Sequence, residues 1–405
     1  MHRNVEAVRR QVQRNGTAQA PCGTGDQNDR SRRHAFYNAA MQSNENASVS
    51  AALGRLVREA IARHGGWLPF DRFMAMALYA PGLGYYANGS RKFGLMPASG
   101  SDFVTAPELS PLFGRALASQ VAQALQATGT DEIWEFGAGS GALAQQLLDA
   151  LGGRLRRYTI VDLSGTLRQR QRERLSAHAA KLEWADALPE QMQGVVVGNE
   201  VLDAMPVQLL HFDGAEWQER GVVLHDQRLA WGDRPTPQGA PFEAPPPAGT
   251  VTERHPQAEA FITTLAERLT RGAAFFIDYG FPLAEYYHPQ RTGGTLMCHR
   301  AHQVDADPLS DLGLKDITAH VNFTGIALAG QDAGFDVLGY TSQARFLLNC
   351  GLAELLQGAD ARIAAPAQKL LMEHEMGELF KVIGFAKGGE FDALGFVSGD
   401  RSHTL

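Results

Sequence analysis

Hydrophobic residues first recur at a regular spacing in the N-terminal third of the chain. From about Val49 they lie three and four positions apart, as on one face of an amphipathic helix: Leu53, Leu56, Val57, Ala60 and Ile61. Gly65-Gly66 ends this helix, and residues 110–128 repeat the helical pattern over a longer stretch. We therefore expect a helical N-terminal region over residues 49–129.

From residue 130 the pattern changes to short apolar runs separated by helical segments. The runs predict strands at 133–136, 158–162, 182–184, 195–198 and 273–278, and the segments predict helices at 142–151, 166–179 and 255–269. Such alternation predicts an α/β fold, with a mostly parallel sheet and helices on both faces. We expect this domain to span residues 130–388, with insertions near 207–250 (hairpin-like at first) and 283–323, followed by a tail over 389–405.

Residues 1–48 lack this patterning. They are rich in Asn, Gln, Gly, Ser and Arg and contain few large apolar side chains, so they cannot bury enough surface to offset the entropy of ordering. We expect a disordered extension. The early arginines leave an organellar transit peptide open as an alternative.

Composition narrows the function classes. The net charge of −7 argues against a protein that binds nucleic acid through general phosphate neutralisation. Three widely spaced cysteines, Cys22, Cys298 and Cys350, suit a reducing compartment, and no apolar run reaches the length of a membrane span. We expect a cytoplasmic protein, with the mitochondrial matrix as the second choice.

A glycine-rich loop carries the first chemical signal. Glu135-Phe-Gly137-Ala-Gly139-Ser-Gly141 lies directly between a predicted strand and a predicted helix, where glycines let the backbone approach a ligand. Its spacing differs from the dinucleotide fingerprint, although Ala142 could take the last position of that motif. Glu135 would repel a pyrophosphate. The acid instead suits a ligand with an ammonium and a sulfonium, such as S-adenosylmethionine, while a nicotinamide dinucleotide remains the alternative.

Acids at the following strand ends extend this candidate site. Asp162 could accept hydrogen bonds from both hydroxyls of a ribose, with Leu163 beside it. Asp186 could accept a hydrogen bond from the exocyclic amine of an adenine. Neither residue distinguishes between the two cofactors.

The fourth strand ends in Gly198-Asn199-Glu200-Val-Leu-Asp203-Ala-Met-Pro206. Ligands bind at the carboxyl edge of an open parallel sheet, so Asn199 and Glu200 should face the cofactor. Glu200 and Asp203 could together orient a guanidinium, whose planar fork suits carboxylates. The alternative for Asp203 is that it caps a following helix.

A metal site is the weaker interpretation of a later cluster. Cys298, His299 and His302 lie close together, with Asp305 and Asp307 nearby. A structural zinc site requires four ligands, and no second Cys/His pair stands at a suitable spacing. We therefore expect no metal.

Eight ordered blocks, covering about residues 65–388, give a more specific signal than the glycine loop alone. On these blocks the chain resembles the family of the mitochondrial complex I assembly methyltransferase and its bacterial relatives. The blocks begin at Gly82-Leu-Gly84-Tyr85-Tyr86, Ser101-Asp102-Phe103-Val104-Thr105-Ala106-Pro107-Glu108, Trp134-Glu135, Ile160-Val161-Asp162, Gly198-Asn199-Glu200, Ile277-Asp278-Tyr279-Gly280, Gly294-Thr295-Leu296 and Asp316-Ile317-Thr318-Ala319-His320-Val321-Asn322-Phe323.

The resemblance implies a class I methyltransferase fold, S-adenosyl-L-methionine as cofactor and a protein arginine as substrate. It also implies a protein partner of the respiratory complex I type, and a homodimer is one possible oligomeric state. The loop with Thr105, Pro107 and Glu108 would cover the cofactor. His320 would join Glu200 and Asp203 as a catalytic residue, with a structural hydrogen bond to Asp316 as the alternative. On a helix, Asp316 and His320 would share a face.

Three positions depart from the family pattern: Asp162 replaces a Glu, Ser101 a Gly, and Asn322 an acid. These departures leave cofactor binding intact and make the substrate assignment less secure. The competing hypothesis is an assembly or adaptor factor that binds the cofactor without catalysis, because fold does not determine function. An adaptor would have no need of Glu135, Asp162, Asn199 and Glu200.

Overall fold

The computed structural model describes residues 45–88, 104–162, 165–300 and 303–405. The chain divides into residues 1–48 and residues 49–405. Of the first unit only residues 45–48 are described, and they are helical. The predicted disorder of residues 1–48 thus falls almost entirely outside the described residues, and everything below concerns the second unit.

An eight-stranded sheet forms the centre of the second unit. Seven of its strands follow the order β15-β16-β10-β5-β2-β3-β4, and β14 pairs with β10. Strands β2 to β5 and β10 run parallel, whereas β16 is antiparallel to both β10 and β15. The strands are β2 (Glu132–Phe136), β3 (Arg157–Val161), β4 (Leu182–Ala185), β5 (Met192–Asn199), β10 (Leu269–Phe281), β14 (Val321–Asn322), β15 (Asp336–Ser342) and β16 (Phe380–Lys387).

Side chains alternate between the two faces of this sheet, so two apolar clusters form. Val195 and Val197 of β5 pack in one cluster, which includes residues of α4 and α5, whereas Val196 packs in the other with residues of α7 and α9. The prediction of a mostly parallel α/β sheet with helices on both faces is confirmed. The helices of the unit are α1 (residues 49–63), α2 (Phe70–Tyr79), α3 (Ala106–Leu109), α4 (Pro111–Thr128), α5 (Ala142–Leu151), α6 (Gly165–Arg174), α7 (Pro256–Arg268), α8 (Leu283–Tyr286), α9 (Phe323–Asp332), α10 (Gln343–Asn349), α11 (Leu352–Gln357) and α12 (Ala361–Gln368).

A smaller sheet lies in the region predicted as the first insertion. Four strands follow the order β1-β7-β6-β9, and β8 pairs with β7; the predicted hairpin corresponds to the antiparallel pair β6–β7. The N-terminal region, in which only helices and loops were predicted, contributes β1, and helices α1 and α2 share an apolar cluster with this sheet. The strands are β1 (Trp67–Pro69), β6 (Gln208–Phe212), β7 (Trp217–His225), β8 (Arg228–Pro235) and β9 (Thr250–Arg254).

Two local predictions, and the alternative for Asp203, are wrong. The helix at 166–179 is α6 only to Arg174, followed by a 3-10 helix. Asp316 and His320 share no helix, because Asp316–Thr318 is strand β13 of a three-stranded sheet with β11 (Met297–Arg300) and β12 (Gln303–Asp305). Asp203 caps no helix, because residues 201–207 form turns and extended chain.

The tail over 389–405 packs on the domain. Phe396 is buried and packs edge-on against Phe346, and the backbone N–H of Leu394 donates a hydrogen bond to Gln123. Within the described part of the chain, no helix is both long and apolar enough to span a bilayer.

Candidate active site

A cavity of about 1200 Å³ lies beyond the carboxyl ends of the parallel strands, where open α/β sheets bind ligands. Residues that follow β2, β3, β5 and β10 line it, together with residues from α2 and from the strands of the second insertion. Ten of the predicted site residues are in its wall: Thr105, Pro107, Glu135, Gly137, Gly139, Asp162, Asn199, Glu200, Asp203 and His320.

The glycine loop adopts a backbone that side chains would oppose. Gly137, Gly139 and Gly141 have φ angles of 63°, 52° and 83°, in the left-handed region that favours glycine. A Cβ at Gly137 would also come within 2.9 Å of the Val201 side chain. The loop therefore presents bare backbone to the cavity. Gly141 does not line the cavity, because it caps the N-terminus of α5.

Glu135 is the acid at the centre of this end of the cavity. It is buried on β2, and Tyr158 of the neighbouring strand donates a hydrogen bond of 2.8 Å to its Oε2. Burial raises the pKa of Glu135 to about 8, partly offset by the Tyr158 hydrogen bond. A cationic group in the cavity would favour the ionised carboxylate and lower this pKa.

Asp162 follows β3 and is oriented by a residue that the sequence did not single out. The side-chain amide of Gln171, on α6, donates to Asp162 Oδ2 at 2.9 Å and to the Gly139 carbonyl at 3.0 Å. Its Oε1 accepts a 2.9 Å hydrogen bond from the indole N–H of Trp184. Gln171 is fully buried and connects the glycine loop, Asp162 and the strand β4. The sequence holds no signal for this role, because the burial of Gln171 and its partners follow from the packing of α6.

Three predicted cofactor residues are not in the wall of the cavity. Glu108 instead accepts hydrogen bonds from Arg174, at 2.7 Å, and from Ser140, so α3 is attached to the glycine loop. Asp186 is largely exposed and pairs with Arg168, because its strand ends beyond the cavity. Gly141 serves the helix cap, as described above, and Leu163 lies outside the described residues, as does His302 of the metal hypothesis.

The turn after β5 is stabilised by hydrogen bonds from its backbone to a buried acid. One carboxylate oxygen of Asp278, Oδ2, accepts hydrogen bonds from the backbone N–H groups of Val201, Leu202 and Asp203 at 3.1, 2.9 and 3.3 Å. Glu200 has a φ of 54°, an uncommon conformation for a residue other than glycine. Backbone strain of this kind concentrates at functional sites, where the surrounding structure holds it in place.

Glu200 and Asn199 interact within this turn. Asn199 Nδ2 donates a 2.9 Å hydrogen bond to Glu200 Oε1, and the backbone N–H of Ala106 also donates to the Glu200 carboxylate. Burial, followed by the charge of Asp203, raises the pKa of Glu200 to about 8. This carboxyl therefore exchanges its proton near neutral pH.

Asp203 meets a group of tyrosines that belong to distant parts of the chain. Tyr279, at the end of β10, donates a short hydrogen bond to Asp203 Oδ2. Tyr79 donates to the Ala204 carbonyl at 2.8 Å and stacks on Tyr86, which donates to both oxygens of Asp316. Burial raises the pKa of Asp203 to about 6, while the hydrogen bond from Tyr279 acts to lower it. Acids and phenols thus crowd this second end of the cavity, and the tyrosines were not predicted as site residues.

His320 lines the same end. Its ring lies edge-on to Tyr279, at 5.1 Å between centroids, and its backbone N–H donates to Thr295 Oγ1. Burial, with the charges of Arg291 and Lys381, lowers the pKa of His320 to about 4. The ring is therefore neutral at physiological pH. Its Nδ1 is buried without a hydrogen-bond partner among the described residues.

The donors and acceptors fit S-adenosylmethionine. A buried acid beside a bare glycine loop can pair with the ammonium of its amino-acid part, and Asp162 can accept from the ribose hydroxyls. A dinucleotide would bring its pyrophosphate against Glu135, which the like charges disfavour. In the described ranges no group of three or more His, Cys, Asp or Glu side chains is placed to hold a metal ion.

Comparison with known proteins agrees with this fit. Residues 116–341 match the family model described as "Putative S-adenosyl-L-methionine-dependent methyltransferase". A crystal structure from Burkholderia thailandensis, bound to S-adenosyl-homocysteine, is 53% identical, with a TM-score of 0.86 over 89% of this chain and 98% of the other.

Curated animal relatives are more distant. The protein arginine methyltransferase NDUFAF7 homologue of Caenorhabditis elegans is 27% identical over 73% of this chain and 75% of its own length. The human NDUFAF7 protein is also 27% identical, over 77% and 76%. The family model alone spans more than half of the chain, and the chain therefore belongs to this family of S-adenosyl-L-methionine-dependent methyltransferases.

Proposed function

We propose that this methyltransferase acts on the guanidinium nitrogen of a protein arginine. The observation that carries the proposal is the acidic turn, because Glu200 and Asp203 both face the cavity beyond the glycine loop. A guanidinium is a planar cation with five N–H donors, and carboxylates bind it in a fixed orientation. The names of the animal relatives agree with such an acceptor.

In this proposal the glycine-loop end holds the cofactor. Glu135 pairs with the cofactor ammonium, Asp162 accepts from its ribose hydroxyls, and the backbone of residues 137–140 lies along it. Thr105 and Pro107 border the same space. When bound, the cofactor supplies a methyl group activated by the sulfonium.

The acceptor end then has to align a nitrogen and manage one proton. Glu200 and Asp203 accept N–H groups of the guanidinium and draw its charge away from the attacking nitrogen, which is worth most in a buried site. The nitrogen lone pair forms the N–C bond as the C–S bond breaks with its electrons on sulfur. The bound guanidinium lowers the pKa of Glu200 from about 8 and so holds this carboxyl ionised. The surplus proton on the methylated nitrogen then passes to the Glu200 carboxylate.

Radiolabelled methyl transfer tests the proposal. The purified protein is incubated with methyl-labelled cofactor and an arginine-containing peptide library, alongside the same library with lysine in place of arginine. We expect label only in the first, released as methylarginine on acid hydrolysis. The Glu135→Gln variant is the control for transfer that depends on the cofactor.

Other outcomes would contradict the proposal. Label in the lysine library would mean a different nitrogen acceptor. Binding of S-adenosylhomocysteine without transfer to any peptide or protein fraction would instead support the assembly or adaptor hypothesis. The cytoplasmic location expected from the sequence stays a prediction, since the curated animal relatives carry mitochondrial names.

A further inference from the structure

The amide of Asn199 has one unsatisfied atom. The residue is only 8% exposed and lines the cavity, and its Oδ1 has no hydrogen-bond partner among the described residues. A buried acceptor without a partner costs free energy, because it has lost its water and gained nothing in return. Such an atom in a ligand cavity indicates a donor on the ligand.

The neighbouring acid fixes which atom of the amide is left over. Asn199 Nδ2 donates to Glu200 Oε1 at 2.9 Å, so the oxygen is the atom without a partner. Glu200 is itself held by the Ala106 N–H and by its left-handed backbone, above the three N–H groups that Asp278 binds. When Glu200 is ionised, as it is beside a cationic ligand, the amide cannot reverse without losing this bond to a buried carboxylate.

Asn199 lies between the two ends of the cavity. It is the last residue of β5, where Gly198 is in register with Phe136 of β2 and Asn199 with Ile277 of β10. On one side the glycine loop follows Phe136, and on the other Tyr279 follows Ile277 by two residues. A methyl group that passes from cofactor to acceptor crosses this point.

We infer that Asn199 Oδ1 accepts a hydrogen bond from the nitrogen that receives the methyl group, with Glu200 accepting beside it. This rests on the proposed nitrogen acceptor, and it makes Asn199 a residue that selects an N–H-bearing nucleophile rather than a residue that binds cofactor. A methyl acceptor without an N–H or O–H donor leaves Oδ1 unpaired and binds less well.

A pair of cofactor analogues tests this without any acceptor. Sinefungin carries an amine where S-adenosylmethionine carries its methyl group, whereas S-adenosylhomocysteine has neither. The amine should donate to Asn199 Oδ1, so the wild type should bind sinefungin more tightly than S-adenosylhomocysteine. The affinity of each analogue is measured by calorimetry for the wild type, Asn199→Leu and Asn199→Asp.

The Leu variant should lose about tenfold of the preference for sinefungin, the worth of one hydrogen bond to a charged group. Its affinity for S-adenosylhomocysteine should stay within about twofold, which also reports an intact fold. The Asp variant keeps an oxygen acceptor of the same shape and should retain the preference. Gln126→Leu, which removes an exposed amide on α4 outside the cavity wall, should change nothing.

A preference that is equal in all four proteins, or absent from the wild type, overturns the inference. If the Leu variant no longer binds either analogue, the Asp variant decides, because loss of the preference there would mean that an oxygen acceptor is not what the amine uses. These results are independent of the peptide experiment. If the lysine library is labelled and the Asn199→Leu variant still loses its preference for sinefungin, only the arginine proposal is wrong.

Discussion

The two ends of the cavity are built in different ways. At the cofactor end, the glycine loop, Glu135 and Asp162 come from β2 and β3, which are adjacent both in the chain and in the sheet. At the acceptor end, Asp203 meets Tyr279 from β10 and lies near Tyr79, more than a hundred residues earlier. A nucleotide-binding loop is thus a local structure, whereas the acceptor pocket exists only after the whole chain has folded.

The electrostatics of the two ends differ as well. Glu135 has a phenol as its hydrogen-bond partner, and its pKa is raised mainly by burial. At the other end the charge of Asp203 adds to burial in raising the pKa of Glu200, and the charges of Asp203 and Glu200 add to burial in raising the pKa of Asp278. Several ionised carboxylates in one buried site cost free energy unless a cation neutralises them. The acceptor end therefore favours a positively charged ligand, whereas the cofactor end needs only one carboxylate for one ammonium.

The largest effect expected from this comparison is at Asp203. Asp203→Asn should reduce methyl transfer to the arginine library by about a hundredfold or more, because it removes a charge aimed at the acceptor. The affinity for S-adenosylhomocysteine should remain within about twofold. Single-turnover transfer and calorimetry on the same preparation measure the two quantities.

Asp226→Asn, at an exposed turn between β7 and β8, is the matched control and should leave both quantities unchanged. A parallel fall in affinity and transfer in Asp203→Asn would mean that the two ends are not separate. Transfer at the wild-type rate would remove Asp203 from the acceptor site.

The next effect concerns the cofactor end. Glu135→Gln should weaken S-adenosylhomocysteine binding by about thirtyfold, since the ammonium loses its buried carboxylate but the cavity keeps its shape. Transfer at saturating cofactor should fall much less than affinity. The exposed Glu183→Gln, on β4, should bind normally. If the Glu135→Gln variant binds with wild-type affinity, the ammonium of the cofactor does not bind at Glu135.

The difference between local and long-range structure explains what the sequence could predict. Strand, glycine loop and helix are contiguous in residues 132–151, so their pattern located the cofactor end and the parallel sheet. Gln171 was not predicted as a site residue, because its partners Gly139, Asp162 and Trp184 become its neighbours only through the packing of α6.

The acceptor end was only partly visible in the sequence. Asp203 was found because it follows a strand end. Tyr79 gave no periodic or motif signal, and the block that ends at Tyr86 did not indicate the contact with Asp316. The spacing of Asp316 and His320 misled, since four residues suggest a helix face and the chain is extended there. Helix and strand cannot be told apart from two residues when long-range pairing decides.

Gln171 tests how firmly the cofactor end depends on its support. Gln171→Met keeps the volume but removes the hydrogen bonds to Asp162 and Gly139, so Asp162 should lose its orientation. We expect about a tenfold loss of affinity for S-adenosylhomocysteine and a similar loss for adenosine, which keeps the ribose and adenine but lacks the amino-acid part. A simple loss of stability would change the unfolding temperature and leave the affinity of the folded fraction intact.

Gln169→Met, on the exposed side of the same helix, is the control. Unchanged adenosine affinity in Gln171→Met would mean that Asp162 is held by other contacts. In that case the hydrogen bond between the two side chains has no part in binding.

The smallest effect is a pH dependence that should belong to the cofactor end. Glu135 has a pKa of about 8 in the free protein, so at pH 7 it is mostly protonated, and an ammonium ligand must displace that proton. Binding therefore releases a proton and becomes tighter as the pH rises through the free-protein pKa. Linkage gives about a fivefold gain in affinity for S-adenosylhomocysteine between pH 7 and pH 8, with little further gain above pH 9. Calorimetry in buffers of different ionisation enthalpy counts the protons released, close to one at pH 7.

Glu200, at the other end of the cavity, has a similar pKa to Glu135. The Glu135→Gln variant therefore shows which of the two carboxyls causes the pH dependence. If the dependence disappears in that variant, the titration belongs to Glu135 and the ammonium contact. A dependence that survives there and disappears in Glu200→Gln would mean that the cofactor's charge is sensed across the cavity. In that case the two ends would titrate as one site. The cofactor end would then not be electrostatically independent of the acids at the acceptor end.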